Sequence, residues 1–175
     1  LPYRIEDIVA GLTEAWQRVE IVIVTGGIGP THDDLTCEAV CHFFSTTKIF
    51  RPEAWQALQR RYAARGIAIP AGNEKQAYIP ANCSPLPNRY GTAVGFYCQQ
   101  DGRCLFVLPG VPHEMETMFS EQVLPRITAA PSPLFIHRLR TTGLPESAVY
   151  QRLNALSWLE PQVEIAFMAS SAGVD

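Results

Sequence analysis

The chain has 175 residues, 47% of them apolar, a formal net charge of −3 and an isoelectric point near 5.8. This length and apolar content suit one globular domain, or one domain and part of another. The acidic balance excludes the basic surface that nucleic-acid-binding proteins use, so no nucleic-acid partner is expected. No apolar run approaches the ~20 residues that span a bilayer, and no membrane association is expected.

The cysteine pattern argues against a cross-linked or zinc-bound framework. Five cysteines make an odd count and include no Cys-x-x-Cys pair. The pattern predicts buried free thiols, among them Cys37 and Cys41 on one predicted helix. With no secretory signal at the start, free thiols favour the cytoplasm as the compartment.

Helical and strand patterns alternate along most of the chain. Apolar residues at helical spacing predict an amphipathic first helix, and Asp101-Gly102 between two apolar runs predicts a two-residue hairpin. A proline opens and a glycine closes the helix between Pro52 and Gly66. In order, the predicted elements are a helix over 3–18, a strand over 21–24, helices over 35–44 and 52–64, strands over 91–100 and 103–108, and a helix from 112 to 119 or on to 124.

The proline-rich segment Ala129–Pro133 predicts a linker. We expect one domain over residues 1–130, and the start of a small second α/β domain over 131–175. The second part contains a predicted strand over 135–141, a helix over 146–156 and a strand over 163–168. Alternating helices and strands favour an α/β fold with a partly parallel sheet. In such sheets ligands bind beyond the carboxyl ends of the strands.

The segment Thr25–Thr36, which we call the glycine turn, lies between a predicted strand and a predicted helix. Its three glycines allow positive φ and a close approach of the backbone to a ligand. A helix N-terminus adds unpaired N–H groups and about half a positive charge, which suit an anion such as phosphate. The candidate phosphate-binding residues here are Thr25, Gly26, Gly27, Gly29, Pro30 and Thr36.

Two adjacent carboxylates, Asp33 and Asp34, lie in the same turn. Two carboxylates would repel a phosphate bound beside them. A divalent cation that bridges the carboxylate and phosphate oxygens would turn this repulsion into attraction. We therefore predict both as metal ligands and catalytic residues, with Mg²⁺ or another divalent cation as cofactor and K⁺ as an additional candidate. A structural alternative stays open, in which Thr31 and Asp34 cap the following helix and Asp33 only favours its dipole.

Further candidates for phosphate or substrate binding lie in later loops. Lys75 offers an ammonium to a phosphate oxygen, with a solvated surface lysine as the alternative. Glu114 lies in the first turn of a predicted helix, where a carboxylate also stabilises the dipole. The asparagines are equally consistent with turn caps. The set comprises Asn73, Lys75, Asn88, Gly91, Thr92, Gly110, Pro112 and Glu114.

Three separated motifs resemble those of the competence/damage-inducible protein CinA family. The first is the glycine turn, the second comprises Asn73–Ala77 and Asn88–Gly95, and the third is Leu108–Met115. Val94 stands where the family usually has proline. The resemblance covers nearly the whole chain.

This resemblance implies the three-layer α/β molybdopterin-binding fold of the adenylyltransferase-like proteins MoaB and MogA, with a mixed, mostly parallel sheet. It also implies metal-dependent hydrolysis of a nucleotide diphosphate, ADP-ribose in particular, by a homodimer. Family members open with a strand ending in Gly-Asp-Glu, which would precede Leu1. The first domain is therefore expected to lack its first strand and the carboxylates that it brings.

The leading hypothesis is a metal-dependent nucleotide pyrophosphatase acting on ADP-ribose or a similar dinucleotide. One alternative is a protein of molybdenum-cofactor synthesis that binds or adenylylates a pterin-like molecule at the same turn. Another is a catalytically silent nucleotide-binding module. The expected partner in each case is a nucleotide diphosphate or a pterin-like small molecule.

Overall fold

The computed structural model describes residues 4–127, 137–154, 165–170 and 173–174. The chain divides into two compact units, Leu1–Ala129 and Ala130–Asp175. The described helices of the first unit are α1 (Ile5–Arg18), α2 (Thr36–Phe43), α3 (Pro52–Ala64), α4 (Pro112–Met118) and α5 (Leu124–Ile127). Its described strands are β1 (Ile21–Thr25), β2 (Lys48–Phe50), β3 (Tyr78–Pro80), β4 (Ser84–Leu86), β5 (Gly95–Gln100) and β6 (Arg103–Leu108). A 3₁₀ turn covers Asn73–Ala77, and the π-helical segment Phe119–Val123 joins α4 to α5.

The main sheet of the described residues has four strands in the order β1-β6-β5-β4. β1 and β6 are parallel, whereas β5 pairs antiparallel with both β6 and β4. The sheet is mixed, as predicted, but among the described strands antiparallel pairings outnumber parallel ones, so the expectation of a mostly parallel sheet is wrong for them. The reason is local, because the short connections before and after β5 fold each neighbouring strand back on it.

Strand β6 lies at the centre of the first unit and is buried on both faces. Leu105 and Val107 belong to a core that α1 and α2 cover. Phe106 and Leu108 belong to a second core, which contains Met118 of α4. Helices on both faces of a mixed sheet form the three layers that were predicted. A strand buried on both faces reads as a continuous apolar run, and that run is visible in the sequence.

The long elements of the first unit were predicted correctly, with ends shifted by a few residues. The hairpin between β5 and β6 is also confirmed. Asp101 and Gly102 both have positive φ, 51° and 76°, as a tight two-residue hairpin turn requires. The start of β5 differs from the prediction: the strand begins at Gly95, whereas the sequence pattern predicted Gly91.

Strands β2, β3 and β4 were not predicted. Each has three residues, which is too short for a recognisable alternation, and both β3 and β4 contain proline. β2 and β3 pair antiparallel and form a separate two-stranded sheet.

The prediction that the thiols are free is wrong for two cysteines. Cys83 and Cys98 form a disulfide, whereas Cys37, Cys41 and Cys104 are free. Cys83 directly precedes β4 and Cys98 lies in β5, opposite each other across that antiparallel pair. Their pairing depends on strand register, which cysteine spacing alone does not reveal. The thiol pattern therefore no longer argues for a reducing compartment.

The second unit contains helix α6 (Glu146–Asn154) and the two-residue strands β7 (Ala169–Ser170) and β8 (Gly173–Val174). The predicted helix is confirmed as far as Asn154. The two predicted strands are wrong over their described residues, since 137–140 and 165–168 are not in strands and only Thr141 forms an isolated bridge, to Val174. The predicted linker and the other residues of these three elements lie outside the described residues.

Candidate functional site

The glycine turn begins at the carboxyl end of β1. Gly26 and Gly27 have φ of 88° and 70°, the left-handed region that favours glycine. Thr36, 5% exposed, lies behind the turn, where its hydroxyl donates to Gly26 O at 2.9 Å and its amide donates to Gly27 O at 2.9 Å. A Cβ on Gly27 would lie 2.1 Å from Thr36 Oγ1. The predicted ligand-binding residue Thr36 therefore supports the turn from behind.

Asp34 closes a second, smaller turn within the same segment. Its Oδ2 accepts hydrogen bonds from the amide and the hydroxyl of Thr31, at 2.8 and 2.6 Å. A Cβ on Gly29 would lie 2.6 Å from the same oxygen. Thr31 does not cap α2, since the N-cap position belongs to Leu35 and no side-chain hydrogen bond caps the helix. The capping alternative is therefore wrong, and no described residue donates a hydrogen bond to Asp34 Oδ1.

Asp33 differs from its neighbour in exposure. It lies on the surface and is not among the residues that line the cleft described below. The hydroxyl of Thr31 and then the backbone amide of Asp33 lower the pKa of its carboxyl, and the charges of His32 and Lys75 act in the same direction. The same hydroxyl donates to Asp34 Oδ2 at 2.6 Å, so Thr31 contacts both carboxylates.

Lys75 holds the glycine turn rather than projecting into solvent. Its Nζ donates to Thr31 O at 2.9 Å and to Asp34 O at 2.6 Å. These bonds tie the 3₁₀ turn to the segment that carries the aspartates. With two of its three N–H groups engaged, Lys75 retains one donor for a ligand.

Asn88, Gly91 and Glu114 together form what we call the acidic wall. Asn88 Nδ2 donates to Glu114 Oε2 at 2.7 Å and to Ala93 O at 3.0 Å. Asn88 Oδ1 accepts from the amides of Tyr90 and Gly91, at 3.0 and 2.8 Å. A Cβ on Gly91 would lie 1.8 Å from Glu114 Oε2, so this carboxylate packs directly against the glycine. Asn88 thus positions Glu114, whose Oε1 accepts no hydrogen bond from the described residues.

The two turns that follow the parallel strands β1 and β6 pack against each other. Gly26 N donates to Leu108 O at 2.9 Å. A Cβ on Gly110 would lie 3.3 Å from Gly26 Cα, so the backbones are nearly in contact. This is the sheet edge at which a ligand site was predicted.

A cleft of about 330 Å³ opens between these turns and the acidic wall. Eight predicted site residues line it: Gly26, Gly27, Gly29, Pro30, Asp34, Thr92, Gly110 and Glu114. Eight others do not: Thr25, Asp33, Thr36, Asn73, Lys75, Asn88, Gly91 and Pro112. Five lining residues were missed: Ile28, Gln76, Ala93, Pro109 and Val111.

Gln76 lines the cleft but was not predicted as a site residue. It is 5% exposed, and its Nε2 donates to Thr92 Oγ1 at 3.2 Å, which holds that threonine at the cleft. Asn73, in the same short turn and 4% exposed, donates to Pro70 O at 3.2 Å instead. Both lie in the motif Asn73–Ala77, but only the 3₁₀ geometry determines which of them faces the cleft.

Within the described ranges, no group of three or more His, Cys, Asp or Glu side chains is arranged to hold a metal ion. Among the same residues, no helix combines the length and apolar character that a membrane crossing requires. Asp34 and Glu114 are the two carboxylates that line the cleft.

Comparison with known proteins places the first unit in a recognised group. Residues 2–129 match a family model described as a probable molybdopterin binding domain. A CinA-like protein of Thermomicrobium roseum is 38% identical over 95% of this chain and 41% of its own length, and one of Gemmatimonas aurantiaca is 37% identical over 97% and 41%. The crystal structure of a CinA protein with unknown function from Thermoplasma acidophilum has a TM-score of 0.63 and 29% identity, over 71% of each chain.

These similarities confirm the resemblance that the motifs predicted. The chain spans about two-fifths of the length of these curated relatives, 41% in both cases.

Proposed function

This chain belongs to the family of probable molybdopterin-binding domains, and we propose that it hydrolyses a nucleotide diphosphate such as ADP-ribose with the help of a divalent cation. The observation that carries the proposal is the cleft, which is lined by Gly26, Gly27 and Gly110 of the two turns and by the carboxylates of Asp34 and Glu114. Backbone amides bind phosphate oxygens, and carboxylates require a cation before they tolerate the same anion.

The volume and lining of the cleft fit a phosphate-containing ligand. Its volume of about 330 Å³ lies within the range of small-molecule sites. Gly26, Gly27 and Gly110 carry no side chain, so a phosphate can approach the main chain closely. The diphosphate would lie along these turns, since they form one continuous edge of the cleft.

The two carboxylates of the cleft suit Mg²⁺, which substrate and water also bind, better than a metal whose ligands all come from the protein. Asp34 Oδ1 and Glu114 Oε1 are carboxylate oxygens without hydrogen-bond donors among the described residues. Mg²⁺ is commonly bound through one or two carboxylates plus substrate phosphates and water. When bound, the cation would neutralise phosphate charge and acidify water. Asp33 remains a candidate ligand, although its exposed position makes Asp34 the stronger one.

The residues of the chain would orient the ligand and accept a proton. Hydrolysis forms a bond from a water oxygen to one phosphorus and breaks the bond from that phosphorus to the bridging oxygen, which leaves on the other phosphate. The proton released by the water passes to a carboxylate and then to solvent. Glu114 suits this role because Asn88 and Gly91 fix it, whereas Asp34 is better placed beside the phosphate-binding turn.

The test is hydrolysis of ADP-ribose by the full-length protein with Mg²⁺, with AMP and ribose 5-phosphate quantified by chromatography. We expect Asp34→Asn and Glu114→Gln each to reduce kcat/KM at least a hundredfold, as loss of a catalytic carboxylate commonly does. Glu116→Gln, an exposed change on the same helix as Glu114, is the matched control and should leave the rate unchanged. The rate of hydrolysis by Asp33→Asn shows whether the Asp33 carboxylate also takes part in the reaction. Undiminished hydrolysis in both cleft variants would refute the assignment.

A second candidate, binding of molybdopterin or a related pterin, is favoured by the description of the matching family. The same glycine turns would bind its phosphate. A competition experiment between ADP-ribose and a pterin phosphate distinguishes the two candidate functions. The ligand that the protein binds more tightly should displace the other. Binding of ADP-ribose without AMP release would instead indicate a silent nucleotide-binding module.

A further inference from the structure

A second, smaller cavity, which we call the side chamber, adjoins the cleft. Its lining includes Glu38 of α2, Lys48 of β2 and Lys75, and it shares Gly27–Gly29, Asp34 and Gln76 with the cleft. Its volume is about 10 Å³. A buried water needs on the order of 10–15 Å³ and two to four polar partners. The side chamber therefore has room for a single water molecule.

Two oxygen atoms in the lining of the side chamber lack hydrogen-bond donors. Gln76 Oε1 and Glu38 Oε2 are buried, and neither has a hydrogen-bond partner among the described residues. A buried acceptor without a donor is destabilising. One water molecule would donate an O–H to each of these oxygens, and Lys75 retains an N–H for the oxygen of the water.

The other end of the Gln76 side chain holds a hydroxyl of the cleft. Gln76 is 5% exposed, and its Nε2 donates to Thr92 Oγ1 at 3.2 Å. A threonine hydroxyl carries one O–H donor, and that of Thr92 has no acceptor among the described residues. Because the amide N–H takes a lone pair of Thr92 Oγ1, the O–H points elsewhere, and Thr92 lines the cleft.

We propose that the side chamber holds one water molecule, which fixes the Gln76 amide so that the Thr92 hydroxyl donates to a phosphate oxygen of the ligand. Gln76 is then a positioning residue, since it acts through Thr92. With the amide reversed, Oε1 would accept the Thr92 O–H, and the hydroxyl would present only lone pairs to the phosphate. This inference rests on the proposed function for the phosphate group of the ligand alone.

The first test is the dissociation constant of inorganic pyrophosphate, measured by calorimetry on the full-length protein with Mg²⁺. Gln76→Glu exchanges the donor for an acceptor of similar size, so the Thr92 O–H turns away from the cleft. We expect about tenfold weaker binding at neutral pH, as loss of one hydrogen bond to a charged group gives. Thr92→Val should weaken binding by about the same factor, and Thr92→Ser should retain wild-type affinity. Gln76→Met, which directs the hydroxyl neither way, should lie between the wild type and Gln76→Glu.

A double variant separates the hydroxyl from the added charge. In the Thr92→Val background only the charge of the new carboxylate acts, so Gln76→Glu should cost a further factor of about three at most. Burial raises the pKa of the introduced carboxyl, and its protonated form donates to Thr92 as the amide does. The affinity of Gln76→Glu relative to the wild type should therefore recover as the pH falls, an effect that a purely structural role of Gln76 would not produce.

The second test is a crystal structure, which should show one water molecule within hydrogen-bond distance of both Gln76 Oε1 and Glu38 Oε2. The inference is rejected if that water is absent, if the wild type does not bind pyrophosphate, or if Gln76→Glu and Gln76→Met bind it as the wild type does. Equal losses with and without the Thr92 hydroxyl also reject it. A protein that shows the expected losses but releases no AMP from ADP-ribose retains the inference and loses the proposed hydrolysis, so the two failures are distinguishable.

Discussion

The glycine turn and the acidic wall face the same cleft, but different interactions hold them. The turn is defined by backbone geometry, with positive φ at Gly26 and Gly27 and donors from Thr36 and Lys75 to its carbonyl groups. The acidic wall depends on side chains, because Asn88 connects a loop amide to a carboxylate 26 residues away. Backbone-defined turns suit ligands that take up amide hydrogen bonds, whereas side-chain networks place a charge at one point.

The largest expected effect concerns the strands that carry the acidic wall. Replacing both Cys83 and Cys98 with serine removes a cross-link that spans 15 residues, and we expect a loss of about 3 kcal/mol in the free energy of unfolding. Urea denaturation measures the loss, with Cys104→Ser as the free-thiol control. Titration of the denatured, unreduced protein should find three free thiols; five would show that the cross-link does not form.

A smaller but more local effect is expected in the glycine turn. In Gly27→Ala the methyl group meets Thr36 Oγ1 and the residue keeps a φ of 70° that alanine disfavours. We expect a loss of about 2 kcal/mol in stability and weaker binding of inorganic pyrophosphate, because the turn must open.

Gly66→Ala is the matched control for this change. Gly66 also has positive φ, 66°, but its Cβ would meet no atom within 4 Å. The difference between the two variants in urea denaturation isolates the contact with Thr36. Equal losses would mean that backbone strain alone limits the turn.

Asn88→Ala examines the acidic wall in the same way. The change removes the four hydrogen bonds of the side chain, including the one to Glu114, and we expect a loss of about 1–2 kcal/mol. The proposed hydrolysis should fall more than the binding of pyrophosphate, because Glu114 loses its position while the glycine turn is intact. Asn82→Ala, an exposed asparagine, serves as control. A variant that loses hydrolysis and pyrophosphate binding equally would contradict the separate roles of the glycine turn and the acidic wall.

The smallest effect is expected at Asp33. Its pKa is lowered in the folded protein, so its charged form stabilises the fold above its ordinary pKa of 3.8, and this contribution disappears as the pH falls through the lowered value. Asp33→Asn should therefore melt slightly below the wild type at neutral pH and together with it in strong acid. Thermal melting across this pH range measures the difference, and a gap that widens in acid would reverse the sign that we assign.

Local patterns predicted most of the first unit. Asp101-Gly102 fixes its hairpin through two positive φ angles, and apolar spacing fixes α1, because both signals act within a few residues. The glycine turn was likewise recognisable as a strand-to-helix connection. Short strands such as β2 and β3 were missed, since three residues carry no periodicity and their pairing partner is distant in sequence.

The role of each site residue was harder to predict than its neighbourhood. Lys75 was expected to contact phosphate, yet two of its donors hold backbone carbonyl groups more than 40 positions away. Gln76, next to it, lines the cleft and was missed. Glu114 was expected to serve the dipole of a helix or a substrate, and only the structure shows that Asn88 and Gly91 hold it at the cleft.

By itself the sequence determined the family, the order of the long elements and the place of the glycine turn, because glycines and apolar periods act over short distances. Tertiary structure alone decided which of two neighbouring aspartates lines the cleft, which cysteines are bonded, and that Asn88 holds Glu114. The disulfide depends on strand register, so a one-residue change in register would abolish it. The bond from Asn88 to Glu114 depends on a close contact between segments far apart in the chain.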